Sequence, residues 1–401
     1  VKHLYSYKYR LTPTPDQEVL LTKHFGCTRF IYNHFLGQRI STYKTTKRGS
    51  TYVNDANELP ELKSKFEWLK EVGSQCLQYA VKCLQNGYDN FFRKCKQKVK
   101  GKKGFPQFKK RHGKQSFRIP QSVKLMEDKL VIPKFLEGIP LVLHRKLEGE
   151  IQFATISKNK AGQYHVSITV ERDMQPLPES AEVIGIDLNV KDIVDSNGNK
   201  ILNPRPNFQH KDRVKLLAQR VSRKKLGSKN RGKAKLALNK KKQYIHNVRE
   251  DFLHKVSKRI INENQVICVE DLSVENMVKK VNTEDMPRWK QKKLHRDVLD
   301  CGFFSFVNKL MYKALWYGRE LVKVSRWFPS SQLCNKCGWQ YKDLPKGCKE
   351  WGCWNCFEMN DRDINSAENV LEEGLRIRTC GIQGLAYCPD VRPAKSGLLV
   401  E

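Results

Sequence analysis

Apolar and polar residues alternate from Leu4 to Leu11 and then meet Pro13 and Pro15, which predicts an opening strand that ends near Leu11. The period then changes. Behind Asp16, a candidate N-cap, Val19, Leu20, Phe25, Phe30, Ile31, Phe35 and Leu36 recur at near-helical spacing. From Ser74 the pattern returns through Leu77, Val81, Leu84, Tyr88 and Phe92, so a helical block is expected over residues 15–98. Strand-like runs follow at KLVIP, IPLVLH, EIQFATISK and QYHVSITVE, spaced as in an all-β module. The opening strand is expected to join that sheet, with the helical block inserted into it.

Beyond the acid-rich linker MQPLPESAE, which reads as a domain boundary, the pattern becomes EVIGIDLNV, an apolar strand carrying Asp187. A second such strand, QVICVEDL, carries Glu270, and the amphipathic stretch Phe303 to Tyr317 leads into the strand-like RELVKVS. Strands alternating with helices predict an α/β domain with a partly parallel sheet.

The chain has 401 residues, room for two or three domains, and 75 lysines and arginines against 42 acids give a formal charge of +33. A compact body tolerates that self-repulsion best beside a polyanion, and nucleic acid is the obvious one. Two blocks concentrate the charge. Between Arg93 and Lys114 eleven of twenty-two residues are basic and none is acidic, with Gly101, Gly104 and Pro106 breaking any long helix. From Lys211 to Lys242 there are fourteen basic residues and a single acid, Asp212. A solvated helix face is the ordinary reading of a charge run, but a one-signed block of this length repels itself without a partner. No apolar run reaches the roughly 18 residues of a membrane span, and the first twenty residues lack the apolar core of a signal peptide. A cytoplasmic, membrane-free protein is the expectation.

Thirteen cysteines in a long chain without an export signal favour reduced thiols and a metal site over disulfides. Cys334 and Cys337, then Cys353 and Cys356 after fifteen intervening residues, form two C-x-x-C knuckles. This is the spacing of a closed, four-thiolate structural zinc site with no open catalytic position. Gly338 and Gly352 are expected to permit the tight turns, and Cys348 lies outside both knuckles. A redox pair would need a thioredoxin-like context that is absent. Cys76, Cys83 and Cys268 sit in apolar stretches and read as core.

Burying an unpaired carboxylate is costly, so Asp187 and Glu270, each embedded in a buried-type strand, ask for a cation. A third candidate, Asp363, opens a predicted helix directly after the cysteine knot. Three such oxygen ligands could hold two Mg2+ or Mn2+ ions about 4 Å apart, the arrangement of two-metal phosphodiester cleavage. Taken alone, each acid also fits a bland role: a strand end, a partner for lysine, a helix cap.

Together, the motifs RFIYNHFL, GFPQFKKR, GIDLNVKD, ICVEDLSVENM, WYGRELVKVSRWFPSSQLCNKCG, DRDINSAENV and VRP resemble TnpB, the transposon-associated RNA-guided nuclease family related to miniature type V CRISPR effectors. The resemblance covers essentially the whole chain. It implies a multidomain α+β fold: a wedge β-barrel over residues 1–14 and 99–175, a helical recognition domain over 15–98, an RNase H-like RuvC nuclease domain over 176–331 and 358–401, and a zinc-ribbon insertion over 332–357. It places the catalytic triad on Asp187, Glu270 and Asp363, with Asp361 as the alternative third member. The implied activity is metal-dependent cleavage of double-stranded target DNA beside a short flanking motif, with a guide RNA derived from the transposon end and one protein per guide. Tyr52 and Gln78 match family positions near the flanking motif, while Lys102, Lys103, Lys109, Lys110, Arg213, Arg220, Arg223 and Lys224 represent the basic blocks expected on phosphates. Three departures stand out: Asn189 and Phe357 each occupy a position where the family commonly has glycine, and the strand and turn at KDIVDSNG are short. A nuclease-inactive guided repressor and a zinc-ribbon DNA-binding transposition protein are the alternatives; no catalytic acid is missing, and no His-x-His transposase motif is present.

Overall fold

The computed structural model describes residues 2–98, 101–279, 287–345 and 347–380. They divide into two compact units, Lys2–Asp173 and the chain from Met174 onward. The VRP motif lies outside the described residues.

In the first unit, strand β1 (Lys2–Leu11) is followed by helices α1 (Pro15–Thr46), α2 (Tyr52–Lys65) and α3 (Ser74–Lys96), with a 3-10 turn at Glu67–Glu71. Six strands complete the unit: β2 (Gln115–Ile119), β3 (Lys124–Met126), β4 (Lys129–Ile132), β5 (Phe135–Val142), β6 (Glu150–Lys158) and β7 (Tyr164–Asp173). The seven strands form one antiparallel sheet in the order β2-β6-β7-β1-β5-β4-β3. The opening strand is therefore interior, pairing along its full length with β7 from Lys2 opposite Asp173 to Leu11 opposite Tyr164. Its alternation holds except at Ser6: Tyr5, Tyr7, Tyr9 and Leu11 are buried and Lys8 and Arg10 exposed, while Ser6 is buried as well.

Helix α1 starts at Thr14 rather than Asp16. The Thr14 hydroxyl accepts from the Gln17 amide, the Gln17 side chain returns to the Thr14 amide, and Pro15 takes the first helical position. The three helices pack around Ile31, Phe35, Leu36, Leu62, Leu77, Val81 and Leu84. A buried ion pair of Arg39 and Asp55 at 2.8 Å crosses this core.

The second unit holds β8 (Val183–Leu188), β9 (Asp192–Asp195) and β10 (Lys200–Leu202), helices α4 (Pro206–Gln209), α5 (Lys211–Ser222) and α6 (Lys229–Glu263), then β11 (Val266–Glu270). It continues through α7 (Val274–Met277), α8 (Arg288–Cys301), α9 (Phe303–Tyr317), β12 (Glu320–Val324), the small hairpin β13 (Glu350–Gly352) and β14 (Met359–Asp361), and α10 (Arg362–Thr379). The five-stranded sheet runs β10-β9-β8-β11-β12, with β8, β11 and β12 parallel and β9 and β10 antiparallel.

Side-chain alternation sorts this sheet into two faces. Ile184, Ile186, Ile267 and Val269 share a core with Leu253, Ile260, Phe306 and Leu310 of α6 and α9. On the other face Val266, Cys268, Val322 and Val324 pack against Val370 and Ile377 of α10. Gly185 lies on that second face, and a Cβ there would come within 2.1 Å of the Ala367 carbonyl oxygen. A Cβ on Gly374 of α10 would likewise meet the Cys268 sulfur at 2.3 Å. These two glycines let helix and sheet approach backbone to backbone.

Candidate active site and cysteine knot

Because side chains alternate along a strand, Asp187 shares the α10 face with Gly185, and Glu270 shares it with Cys268. Val269 lies opposite Ile186 in the parallel register, so the next residues, Glu270 and Asp187, sit side by side at the carboxyl ends of β8 and β11. Asp363 enters from the first turn of α10, buried to 7% exposure. Asp187 feels the other two acids. Burial above all, and then the charges of Glu270 and Asp363, push the Asp187 carboxyl up to about 7, against the Asn189 hydrogen bond. Burial also raises Glu270, against the hydrogen bond from Ser330.

Each acid is oriented by a neighbour, and of the three only Asn189 stood out in the sequence. The Asn189 amide donates to Asp187 Oδ2 at 2.6 Å, the Ser330 hydroxyl donates to Glu270 Oε1 at 2.5 Å, and Lys349 pairs with Asp363. Asn189 thus makes a bond to the first acid that glycine at this position has no side chain to make. Asp361, the alternative third acid, caps the helix that carries Asp363. Its Oδ1 accepts from the Asp363 and Ile364 amides as the N-cap of α10, and its Oδ2 pairs with Lys200 at 2.5 Å.

Buried amides of α10 reach back to the segment before the knot: Asn369 donates to the Ser330 and Leu333 carbonyls at 2.8 Å each, and Asn365 donates to Leu333 at 2.7 Å. Ser366 meets Ser330 at 3.0 Å. The motif DRDINSAENV therefore carries both an acid and the fastening of the chain that orients Glu270.

Among the described residues, the group whose ligand atoms all fall within 4.8 Å of one another is Cys334, Cys337, Cys353 and Cys356; the carboxylates are not gathered so tightly. Sulfur separations are 3.6 Å for Cys334–Cys356 and 3.5 Å for Cys337–Cys353. A disulfide needs about 2.05 Å, whereas a tetrahedron with Zn–S bonds of about 2.3 Å has edges near 3.8 Å, so the four thiols fit one ion. Hydrogen bonds, first from Asn355 and then from the Trp339 amide, lower the Cys337 thiol to about 6. Cys348 instead donates to the Glu350 carbonyl. Gly338 turns the first knuckle at φ +71°, but the matching position of the second is Phe357 at φ +60°. Gly352 is not a turn residue, contrary to expectation: it ends β13, paired with Met359.

The basic positions divide. Lys102, Lys103 and Lys110 are exposed, as are Arg213, Arg220, Arg223 and Lys224 on and beside α5. Lys109 is tied down, with its backbone bonded on both sides to Asn33 and its ammonium 3.9 Å from the centre of the Tyr32 ring. Tyr52 packs against the helical core at the start of α2, and Gln78 is exposed on α3. No helix among the described residues is long and apolar enough to cross a membrane.

Three family models match: one described as "Probable transposase" (OrfB of IS605) over residues 165–281, a helix-turn-helix domain over 4–48, and a Cas12f1-like TNB domain over 303–370. Residues 4–48 here are a strand and a single long helix rather than two helices about a turn. A Streptomyces pristinaespiralis protein named "Putative RNA-guided DNA endonuclease" is 37% identical over 94% of this chain and 90% of its own length. "Putative RNA-guided DNA endonuclease InsQ" of Escherichia coli K12 is 31% identical over 95% of each chain. A Cas12f1 chain solved with its guide RNA and target DNA superposes with a TM-score of 0.45 at 13% identity, covering 92% of this chain and 98% of that one. Similarity that runs from end to end at these identities, on a mixed α/β multidomain chain with a four-cysteine cluster, means that the protein belongs to the TnpB family of transposon-associated proteins.

Proposed function

We propose that the protein is an RNA-guided DNA endonuclease whose centre is Asp187, Glu270 and Asp363. The observation that carries this reading is the convergence of these acids on one sheet face, two from adjacent parallel strands and one from the helix packed over them. The second unit then acts as an RNase H-like RuvC domain (176–331 and 358–401) with the zinc ribbon (332–357) inserted. The first unit supplies a wedge barrel (1–14 and 99–175) carrying a helical recognition domain (15–98).

Hard carboxylate oxygens suit Mg2+ or Mn2+, and the Lys349 ammonium on Asp363 shows a cation already answering charge at this place. When bound, the divalent ions supply activation of a water and neutralisation of charge at the phosphate. The chain's own residues hold and aim the ligands: Asn189 fixes Asp187, Ser330 fixes Glu270, and the Asp361 cap sets the first turn that carries Asp363. Zinc on the four cysteines does no chemistry; it closes the loop that begins at Ser330 and ends at Asp363. The exposed basic residues of α5 and the 101–110 segment contact RNA and DNA phosphates, which position the polyanion without reading its sequence. Sequence is read by a transposon-end guide RNA, and the protein reads only a short flanking motif.

The test is reconstitution with magnesium and two different guides on one plasmid bearing the flanking motif beside both targets. Cutting should move with the guide and stop with Asp187→Ala while binding persists. Cutting at one place with either guide, or equally without RNA, would refute guided action.

A further inference from the structure

Trp327 is 86% exposed, yet it stands on a turn anchored on both sides. On its amino-terminal side the Arg326 guanidinium pairs with Asp271, the residue after Glu270. On its other side Phe328 packs against the core that α10 forms with β11 and β12. The turn is closed by Phe328 N–H to the Ser325 carbonyl at 3.0 Å and Ser330 N–H to the Phe328 carbonyl at 2.9 Å. Two residues later the Ser330 hydroxyl holds Glu270. A large apolar ring is thus kept in water by a turn with little freedom to tuck it away.

Its position gives the exposure a purpose. Val324, the last residue of β12, lies directly opposite Glu270. With strands about 4.8 Å apart and three residues of at most about 3.4 Å each, the Trp327 backbone lies within about 15 Å of that of Glu270. This is at most about four nucleotides along a stacked strand. Lys323 and Arg326 both pair with Asp271, which puts two cationic side chains beside the turn.

We propose that Trp327 is a stacking platform for a base of a single-stranded DNA segment, and that it fixes which phosphate reaches the three acids. The proposal rests on the nuclease reading above and adds to it a positioning residue. Stacking suits the task because every base has a π-face, so the grip is independent of sequence while the chemistry is set by distance from the ring. Phosphate contacts alone let a strand slide; a base held on a rigid turn gives it a register.

The experiment compares wild type, Trp327→Ala and Trp327→Phe. Guide-free protein without divalent metal is titrated with labelled oligothymidylate, following anisotropy and tryptophan fluorescence. The guide-loaded complex is then assayed in single turnover with cut sites mapped to the nucleotide. A stacked base contributes about 1–3 kcal/mol, so alanine should weaken oligothymidylate about 5- to 150-fold, with phenylalanine retaining most of the affinity. Alanine should also slow cutting and scatter the cut positions, leaving duplex binding and melting temperature unchanged, since the ring is not part of the core. Equal affinity, equal quenching and the same cut sites in the alanine variant would overturn the proposal. If wild type does not cut at all, the nuclease reading fails, and the oligothymidylate titration still decides whether the platform exists.

Discussion

Gly185→Ala is the most informative perturbation of this site because it touches none of the three acids. The added methyl would lie 2.1 Å from the Ala367 carbonyl and 2.8 Å from Leu371, where ordinary contact begins near 3.4 Å. To restore that contact, α10 must retreat from β8 by about 1.3 Å. The helix cannot lift evenly, because Gly374 seats it against Cys268 two turns further on, so it pivots and the end carrying Asp363 moves most. A misplacement of about 1 Å costs on the order of a hundredfold in rate, and overpacking of this kind costs about 1–3 kcal/mol of stability. The assay is single-turnover cleavage with guide and magnesium, run beside target binding and thermal melting. The expected result is a cleavage rate lower by about two orders of magnitude, intact binding and a lowered melting temperature. A variant that melts lower yet cuts at the wild-type rate would show that the spacing of α10 and β8 does not set the chemistry.

The other predictions are independent of that clash. Asp187 binds its proton more tightly in the fold than in the unfolded chain, so metal-free protein loses stability as pH rises from about 4 through about 7; Asp187→Asn should raise the melting temperature at pH 8 and change it little at pH 4. The same titration makes protons compete with the divalent ion, so Mn2+ affinity should fall as pH drops below about 7, which calorimetry would reveal. Cys334→Ser should release zinc measured by metal analysis and loosen the start of α10, whereas Cys348→Ser should retain a full equivalent; the reverse pattern would overturn the ligand set. Phe357 holds a left-handed backbone that costs a non-glycine residue about 1–2 kcal/mol, so Phe357→Gly should raise the melting temperature of zinc-loaded protein or leave it level. Replacing Arg213, Arg220, Arg223 and Lys224 with glutamine should flatten the dependence of affinity on salt by about 0.9 for each lost duplex phosphate contact, and an unchanged slope would mean that these charges face only solvent.

What the sequence made visible was whatever depends on near neighbours in the chain. The alternation of Tyr5, Tyr7 and Tyr9 and the helical spacing of Leu77, Val81 and Leu84 are local patterns, and so are the two cysteine knuckles. Helix α8 escaped notice because half of its residues are charged and only Val298, Asp300 and Cys301 are buried. Helix α2 was hidden by Pro60 in its interior. Thr14 displaced Asp16 as the cap because a partner three residues on, Gln17, completes a reciprocal pair. The acids of the candidate site stood out as charges inside apolar strands, but two of the groups that aim them did not. Ser330 is sixty residues from Glu270 and Lys349 fourteen from Asp363, and no periodicity announces such meetings. The surroundings of Tyr52 were hidden for the same reason: it packs beside the helical core with Lys82 of α3, thirty residues later, over its ring.

The interior place of β1 also governs how the first unit comes into being. Ser6 bonds to Thr169 at 2.8 Å across 163 residues of chain, and closing a flexible loop of that length carries an entropic cost of about 4.5 kcal/mol beyond the contact constant. During synthesis at about 5–20 residues per second, the first strand waits on the order of ten seconds for its principal partner. The helical block α1 to α3 can settle meanwhile, since the three helices that build its core are all complete by Lys96. Through that interval a ribbon bearing Tyr5, Tyr7 and Tyr9 is an unpaired edge open to other nascent chains. Lys2, Lys8 and Arg10, alternating with those rings, are then gatekeepers against aggregation, and their charges matter most before the sheet exists.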